Sequence, residues 1–358
     1  MHLQICVPDL SSNTAGRAYC LWLLARELGW TATVVGNASE DGLWFPLQGT
    51  PFQSDCLIGC SGEGADVIVA VAPIPGSFDV ALSAGRTERL PVVLDVDEAH
   101  WEARWGHTRV RRFRAATAMT LHGRNPVPVF RLRRAAQRVV TLISNPALQR
   151  LYPGVVIPHV RPLTSSTAST HTNPLRIGFL GTVRWHKGLE YLRDAASDVG
   201  AQLTVTASRP ADARPNEHFV GSTSMVELHK LLDAQDVVVV PSMDTPFSRL
   251  QLPAKLVDAM SSGKAILASR LPPIEWATAD TALLVEPGSV KELTRALTTL
   301  TTDPARRAAL GEAARERAAS MFTPEAVAPL FARAIRDAVR CGPVGTRKNG
   351  RSIASRGS

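Results

Sequence analysis

Apolar residues in the first 160 positions fall in short unbroken runs rather than in strict alternation. "LQICVP" (3–8), "TATVVG" (31–36), "DVIVAVAP" (66–73), "PVVLDVD" (91–97), "RVVTLIS" (138–144) and "VVIPH" (155–159) all read as strands. Runs of this kind fit strands covered on both faces, as in a parallel sheet flanked by helices. Between the first two lies "AGRAYCLWLLARELG" (15–29), whose apolar positions recur at helical spacing before Gly29 closes the helix. The pattern lapses at "LTSSTASTHTNP", which Ser, Thr, Asn and Pro dominate, with little to bury.

The alternation then resumes. "LRIGFLG", "QLTVTA", "DVVVVPS", "AILAS" and "ALLVE" read as strands, with "GLEYLRDAA" and "SMVELHKLLDA" as helices. Ser224 with Glu227, and Ser289 with Glu292, have the spacing of capping boxes. These patterns predict an α/β chain of two tandem Rossmann-like domains with a cleft between them. The expected boundaries are a first domain over 1–162, a linker over 163–173, a second domain over 174–340 and a disordered basic tail over 341–358. The pattern "TPEAVAPLFARAIRDAV" predicts a last helix that packs across both domains.

Length and composition narrow the class. A chain of 358 residues is long enough for two cores, and no apolar run approaches the roughly 18 residues that span a bilayer. The start "MHLQICVPDL" lacks the basic stretch and cleavage site of a secretory signal, so the expected location is the cytoplasm. Five scattered cysteines point to reduced thiols, with Cys6 and Cys20 in the core. Cys56 and Cys60 lack a second Cys/His pair at zinc spacing.

The net charge of +8 is unevenly spread. From Arg104 to Leu189 there are fourteen Arg, one Lys and no acidic residue. A phosphate-bearing ligand, an anionic membrane surface at the inner face or a nucleic acid would each balance such a stretch, and a solvated arginine-rich surface explains it equally well.

Chemistry gathers in the second half. In "GFLGTVRWHKGL" Gly181 frees the backbone for close approach, while Arg184 and Lys187 project from a loop after a strand, with His186 expected to face solvent. In "SRLQLPAKLVDAMSSGKAILAS" Pro253 suits the first turn of a helix, and Lys255 and Asp258 share one face near its start. In a parallel sheet both clusters lie on the carboxyl edge and converge. Three cations with backbone N–H groups suit a diphosphate, and the Asp258 carboxylate suits the vicinal hydroxyls of a ribose.

Four segments, "IGFLGTVRWHKG", "LLDAQDVVVVPS", "LPAKLVDAMSSGKAILAS" and "ALLVEPGSVKELTRAL", stand in the order and at the spacing seen in the donor domain of retaining GT-B glycosyltransferases. The second domain resembles that group, which includes bacterial glycogen synthase and the phosphatidylinositol mannosyltransferases. The first domain resembles it less, chiefly through "VVTLISNPALQRLYPGVVIPH". The resemblance implies a retaining transfer of a sugar, most simply a hexose, from a nucleotide-diphosphate donor to a hydroxyl of a small-molecule, lipid or glycan acceptor. It implies no cofactor and no metal, with same-face attack assisted by the leaving phosphate.

By the same resemblance Arg184, Lys187 and Lys255 grip the diphosphate with Gly181, Asp258 holds the ribose, and Leu250, Gln251 and Leu252 line the sugar. Leu250 stands where the group carries an acid, and Asp258 where it carries the longer Glu. The group's first glycine-rich loop shrinks to "SSNTAGR", leaving Gly16 for the diphosphate with Arg17 beside it.

Asp97 and His100, after the "VVLDVD" strand, are candidates for catalysis through acceptor binding or steadying of the reacting sugar, and Asp97 equally suits a helix N-cap. Asp95 and Asp97 also form an Asp-x-Asp, a short and unspecific metal pattern. Trp101 and Trp105 suit an acceptor platform, a membrane edge or simple core packing, and His159 and Arg161 suit either a cleft position or a domain junction. Two further readings stay open. The chain is a nucleotide-sugar binder that has lost transfer, marked by Leu250, or a nucleic-acid binder using its arginines. No nucleic-acid module is legible, so the second is not expected.

Overall fold

The computed structural model describes residues 1–38, 42–58, 64–99, 117, 127–164 and 173–343. His100, Trp101, Trp105, Cys60, most of the expected linker and most of the expected tail lie outside the described residues. The chain divides into two compact units, Met1–Pro158 with Val327–Ser358, and His159–Ala326.

In the first unit the order is β1 (His2–Asp9), α1 (Thr14–Glu27), β2 (Thr31–Asn37), β3 (Cys56–Ile58), β4 (Val67–Val71), α2 (Phe78–Thr87), β5 (Val92–Val96), α3 (Val127–Ala136), β6 (Val140–Ile143) and β7 (Val155–Val156). The seven described strands form one sheet in the order β3-β2-β1-β4-β5-β6-β7, every pair parallel. All five residues of β4 and of β5 are buried, as their apolar runs require, with Asp95 the one charged residue among them.

The second unit repeats the scheme with β8 (Arg176–Phe179), α4 (Leu189–Asp198), β9 (Gln202–Val205), β10 (Glu217–Phe219), α5 (Met225–Ala234), β11 (Val237–Val240), α6 (Ala254–Ser261), β12 (Ala265–Ser269), α7 (Pro272–Thr278), β13 (Leu283–Val285), α8 (Val290–Thr302) and α9 (Pro304–Met321). Helix α10 (Pro324–Cys341) follows, and from Val327 on it belongs to the first unit, where Phe331 packs against Trp30. The sheet order is β10-β9-β8-β11-β12-β13, again parallel.

Successive side chains of a strand point to opposite faces, so β11 feeds two cores. Val237 and Val239 pack with Leu192 of α4 and Leu297 of α8, and Val238 and Val240 pack with Leu256 and Met260 of α6 and Ala318 of α9. That double burial is why the strand is four valines in a row.

The expected fold class is the observed one, two tandem Rossmann-like domains. In each sheet the order reverses beside the first strand, at β1/β4 and β8/β11, and ligands of open α/β sheets sit at such points beyond the carboxyl ends. The capping box at Ser224 and Glu227 is present in full. At Ser289 only half of it forms. The hydroxyl accepts from the Glu292 N–H, but the Glu292 carboxylate accepts from the Glu286 N–H instead of reaching back to Ser289.

Cys6 and Cys20 are buried, as expected. The Cys56 thiol points at the Phe52 carbonyl, and burial, with the Asp55 charge, pushes its pKa up to about 12, which leaves a protonated, packed thiol. No helix among the described residues is long and apolar enough to cross a membrane.

Candidate functional site at the switch point of the second sheet

Strand β8 ends at Phe179, and two residues later Gly181 adopts φ +136°, a conformation closed to side chains with a Cβ. Its N–H donates to Thr206 Oγ1 at 2.6 Å, and that hydroxyl lies within 3.1 Å of the Gly181 carbonyl. Thr206 follows β9, so the loop is tied to the neighbouring strand. The chain then makes one tight turn, Trp185–Lys187, and reaches Gly188 at φ +71°. A Cβ on Gly188 would stand 1.9 Å from the Pro241 carbonyl oxygen, and the Met243 N–H donates to the His186 carbonyl at 2.9 Å. The loop is thus pressed against the chain leaving β11.

From the other side comes α6, with Pro253 just before its first residue. The Lys255 stem passes over the bare face of Gly181, its Cδ 3.4 Å from where a Cβ would stand. The Nζ sits 3.6 Å from the centre of the Phe179 ring, out of contact with solvent and without a hydrogen-bond partner among the described residues. Burial, and then the charge of Lys187, holds its pKa well below the ordinary lysine value. Lys187 Nζ in turn donates to Gln251 Oε1 at 2.7 Å. The two sequence segments therefore meet.

His186 is half-buried rather than facing solvent as expected. Its ring lies edge-on between Trp185 and Phe247, at centroid distances of 5.7 and 5.3 Å, and its Nε2 is buried with no hydrogen-bond partner among the described residues. Burial, then Lys187, Arg184 and Lys255, lowers its pKa below the ordinary 6.5. The charges that shift His186 and Lys255 are all positive. Arg184 itself is exposed, as is Trp185 at 80%. Leu250 is half-buried and Leu252 is buried.

Asp258 lies one helical turn beyond Lys255 on α6. Its Oδ1 accepts from Arg161 Nε at 2.5 Å, with only 10% of the Arg161 side chain and 11% of the Asp258 side chain exposed. Sequence reasoning placed Arg161 in a cleft or at a junction and found no partner for it. Nothing in the chain order links positions 97 residues apart.

Gly16, Asp97 and the Asp-x-Asp belong to the other unit. A Cβ at Gly16 would stand 3.0 Å from the indole of Trp44, so this close approach is made by a side chain of the protein itself. Arg17, one residue on, is fully buried. It grips Asp95 through Nε at 2.9 Å and Nη2 at 2.6 Å, and also donates to the carbonyls of Pro158 and Ile157. Asp95 is thereby held inside the sheet by an arginine. Asp97 follows β5, its carbonyl accepting from Ser144 Oγ at 2.7 Å.

Comparison with known proteins fits this architecture. Residues 174–303 match the family model of glycosyl transferases group 1. A stretch of 114 residues is 39% identical to the MMP alpha-(1->4)-mannosyltransferase of Mycolicibacterium hassiacum, covering 31% of this chain and 26% of that one. The match thus spans about a quarter of the relative's length.

Among solved structures, sucrose-phosphate synthase from Thermosynechococcus elongatus superposes with a TM-score of 0.66 at 16% identity, over 95% of this chain and 99% of that one. Anabaena Alr3699/HepE in complex with UDP-glucose superposes with a TM-score of 0.68 at 14% identity, over 94% and 100%. The chain has the fold of the GT-B glycosyltransferases. The stretch that matches the glycosyl transferases group 1 model lies within its second unit.

Proposed function

We propose that the protein is a retaining glycosyltransferase that moves a hexosyl group from a nucleoside-diphosphate sugar to a hydroxyl of a small-molecule, lipid or glycan acceptor. The observation that carries this reading is the Lys255 amino group, buried at the carboxyl edge of a parallel sheet beside the Lys187 charge and without a hydrogen-bond partner among the described residues. Burial without a partner disfavours the charged form of this lysine, and a diphosphate supplies the negative charge that would hold it protonated. The mannosyltransferase relative and the UDP-glucose complex of a protein of the same fold support a nucleotide-sugar donor.

In this reading Lys255 and Lys187 neutralise the leaving diphosphate from within, and Arg184 closes on it from solvent. Breaking a glycosyl–phosphate bond passes through an oxocarbenium-like state, and neutralising the departing oxygens lowers that barrier. The side chains present supply that charge, so the reaction is proposed to need neither metal nor cofactor. Gln251, held by Lys187, reaches the sugar hydroxyls, with Leu250 and Leu252 as apolar wall, and Asp258 meets the ribose. Asp97, His100 and Gly16 are proposed to serve from the first domain. The protein works in the cytoplasm, with its arginine-rich segment available for an anionic acceptor or for peripheral contact with a membrane.

A screen of UDP, GDP, dTDP and ADP by thermal shift tests the donor site, since a ligand bound only by the folded state raises the melting point. At least one should do so, and Arg184→Ala and Lys187→Ala should each weaken the response. Equal responses in the variants would remove those side chains from the site. A second reading, a binder without transfer, is favoured by Leu250, which offers no hydrogen bond to a sugar. Release of nucleoside diphosphate from UDP-glucose or GDP-mannose separates the two, because a pure binder releases none.

A further inference from the structure

We infer that Arg161 is a positioning residue for the ribose end of the donor site, fixing the Asp258 carboxylate before a nucleotide arrives. The inference rests on the donor-site reading above. Asp258 lies on α6 three residues after Lys255, so a ligand seated on the lysine brings its ribose past the aspartate. A carboxylate there accepts from ribose hydroxyls only if its oxygens face them, and a side chain with two rotatable bonds does not hold that orientation unaided. Arg161 Nε, 2.5 Å from Oδ1, sets it. The guanidinium also offsets a negative charge that would otherwise repel a diphosphate one helical turn away.

Arg161 is itself held. Its N–H donates to the Phe322 carbonyl at 2.8 Å, and its Nη1 donates to the Val160 carbonyl at 2.8 Å. Three residues on, the Thr164 N–H donates to the Ser261 carbonyl at 3.3 Å, and Thr164 Oγ1 bonds Ser262 Oγ at 3.2 Å. Arg315, from α9, donates to the carbonyls of both Thr164 and Ser261. The segment 161–164 is therefore strapped to the carboxyl end of the helix whose aspartate it orients. An arginine anchored in this way cannot follow a carboxylate that turns away.

Discrimination between ribose and 2′-deoxyribose reads this role directly. UDP and GDP, each against its 2′-deoxy counterpart, are titrated calorimetrically into the full chain and its variants. In the parent the ribonucleotide should bind roughly tenfold tighter, the value of one hydrogen bond to a charged group. Asp258→Asn should reduce that preference, and Arg161→Gln should reduce it to about twofold while retaining diphosphate binding. Arg161→Lys keeps the charge without the planar fork, so it should fold even if Arg161→Gln does not, and should also lose most of the preference.

Thr164→Val removes only the Oγ1 bond to Ser262 and leaves the backbone anchors of Arg161 and Thr164 in place, so it is expected to lower the melting point while keeping the preference. A parent-like preference in Arg161→Gln or Arg161→Lys would overturn the inference alone. Tighter binding in these variants would also overturn it, since Arg161 would then be blocking the ribose rather than preparing for it. Failure of the parent to bind either nucleotide would instead sink the donor-site reading.

Discussion

Lys255 Nζ, in the first turn of α6, lies 3.6 Å from the centre of the ring of Phe179, which ends β8 in the middle of a sheet, and it has no hydrogen-bond partner among the described residues. The ring face offsets part of the desolvation, by about 2 kcal/mol at best, whereas a buried unpaired ammonium costs several. The empty protein therefore carries a local penalty that an anionic ligand relieves. Lys255→Met keeps the length and the ring contact and removes the charge. It should raise the melting point of the ligand-free protein by a few degrees, on the order of 1–3 kcal/mol, and abolish the shift produced by a nucleoside diphosphate. A variant that melts lower than the parent and still responds to nucleotide would contradict this account of the site.

The same lysine makes binding take up protons. Its pKa is lowered by burial and by Lys187, and that of His186 by burial and by Lys187, Arg184 and Lys255. A diphosphate among these groups reverses the electrostatic part of both shifts, so the bound state holds protons more firmly than the empty one. Above the last ionisation of the ligand phosphate, near pH 6, affinity should therefore fall as pH rises. Unfolding also returns Lys255 to its ordinary value of 10.5, so the empty protein gains stability as pH rises from the folded-state pKa toward that value. Calorimetry in two buffers of different ionisation enthalpy counts the protons. Uptake should be positive in the parent and smaller in Lys255→Met.

The central strands and the two loops of the site were legible because their signals are local. "AILAS" is β12 residue for residue, Pro253 stands at the start of α6, and Gly181 takes the conformation that its position implied. Helix α9 left no such signal. It packs through Gly311, Ala314 and Ala318, and a Cβ at Gly311 would stand 2.3 Å from the Gly263 carbonyl oxygen, so close approach of backbones replaces a stripe of large apolar residues. The partners of Asp258 and Asp95 were hidden for a different reason. Arg161 and Arg17 meet them across 97 and 78 positions, and only the folded sheet decides which of many arginines arrives.

Arg17 and Asp95 form a buried unit whose two halves are worth little apart. Burial works against the Arg17 charge, and Asp95 more than offsets it, leaving the arginine pKa raised. Asp95→Ala strands a guanidinium inside the first unit and should cost about 3–5 kcal/mol in urea unfolding. The double variant Arg17→Met/Asp95→Leu removes both charges and should recover most of that loss, although the carbonyls of Ile157 and Pro158 lose their donor. Additive losses in the double variant would mean that the pair is not the coupled element its geometry describes.

Gly188 and Gly200 both end a helical turn in the left-handed region, at φ +71° and +66°, yet a methyl group would meet different surroundings at the two positions. At Gly200 nothing lies within 4 Å, so Gly200→Ala carries only the backbone strain, about 1–2 kcal/mol. At Gly188 the added Cβ would stand 1.9 Å from the Pro241 carbonyl oxygen and 3.0 Å from its carbon, both backbone atoms that cannot rotate away. Gly188→Ala must then push the turn Trp185–Lys187 off the chain leaving β11, breaking the Met243 to His186 bond and drawing Lys187 from Gln251. Both variants should lose stability. Gly188→Ala should in addition weaken nucleoside-diphosphate binding by roughly tenfold or more, the scale of one lost charge-assisted contact, while Gly200→Ala should bind as the parent does. Equal binding by the two variants would separate the glycine turn from the ligand and leave the close approach at Pro241 as a packing feature alone.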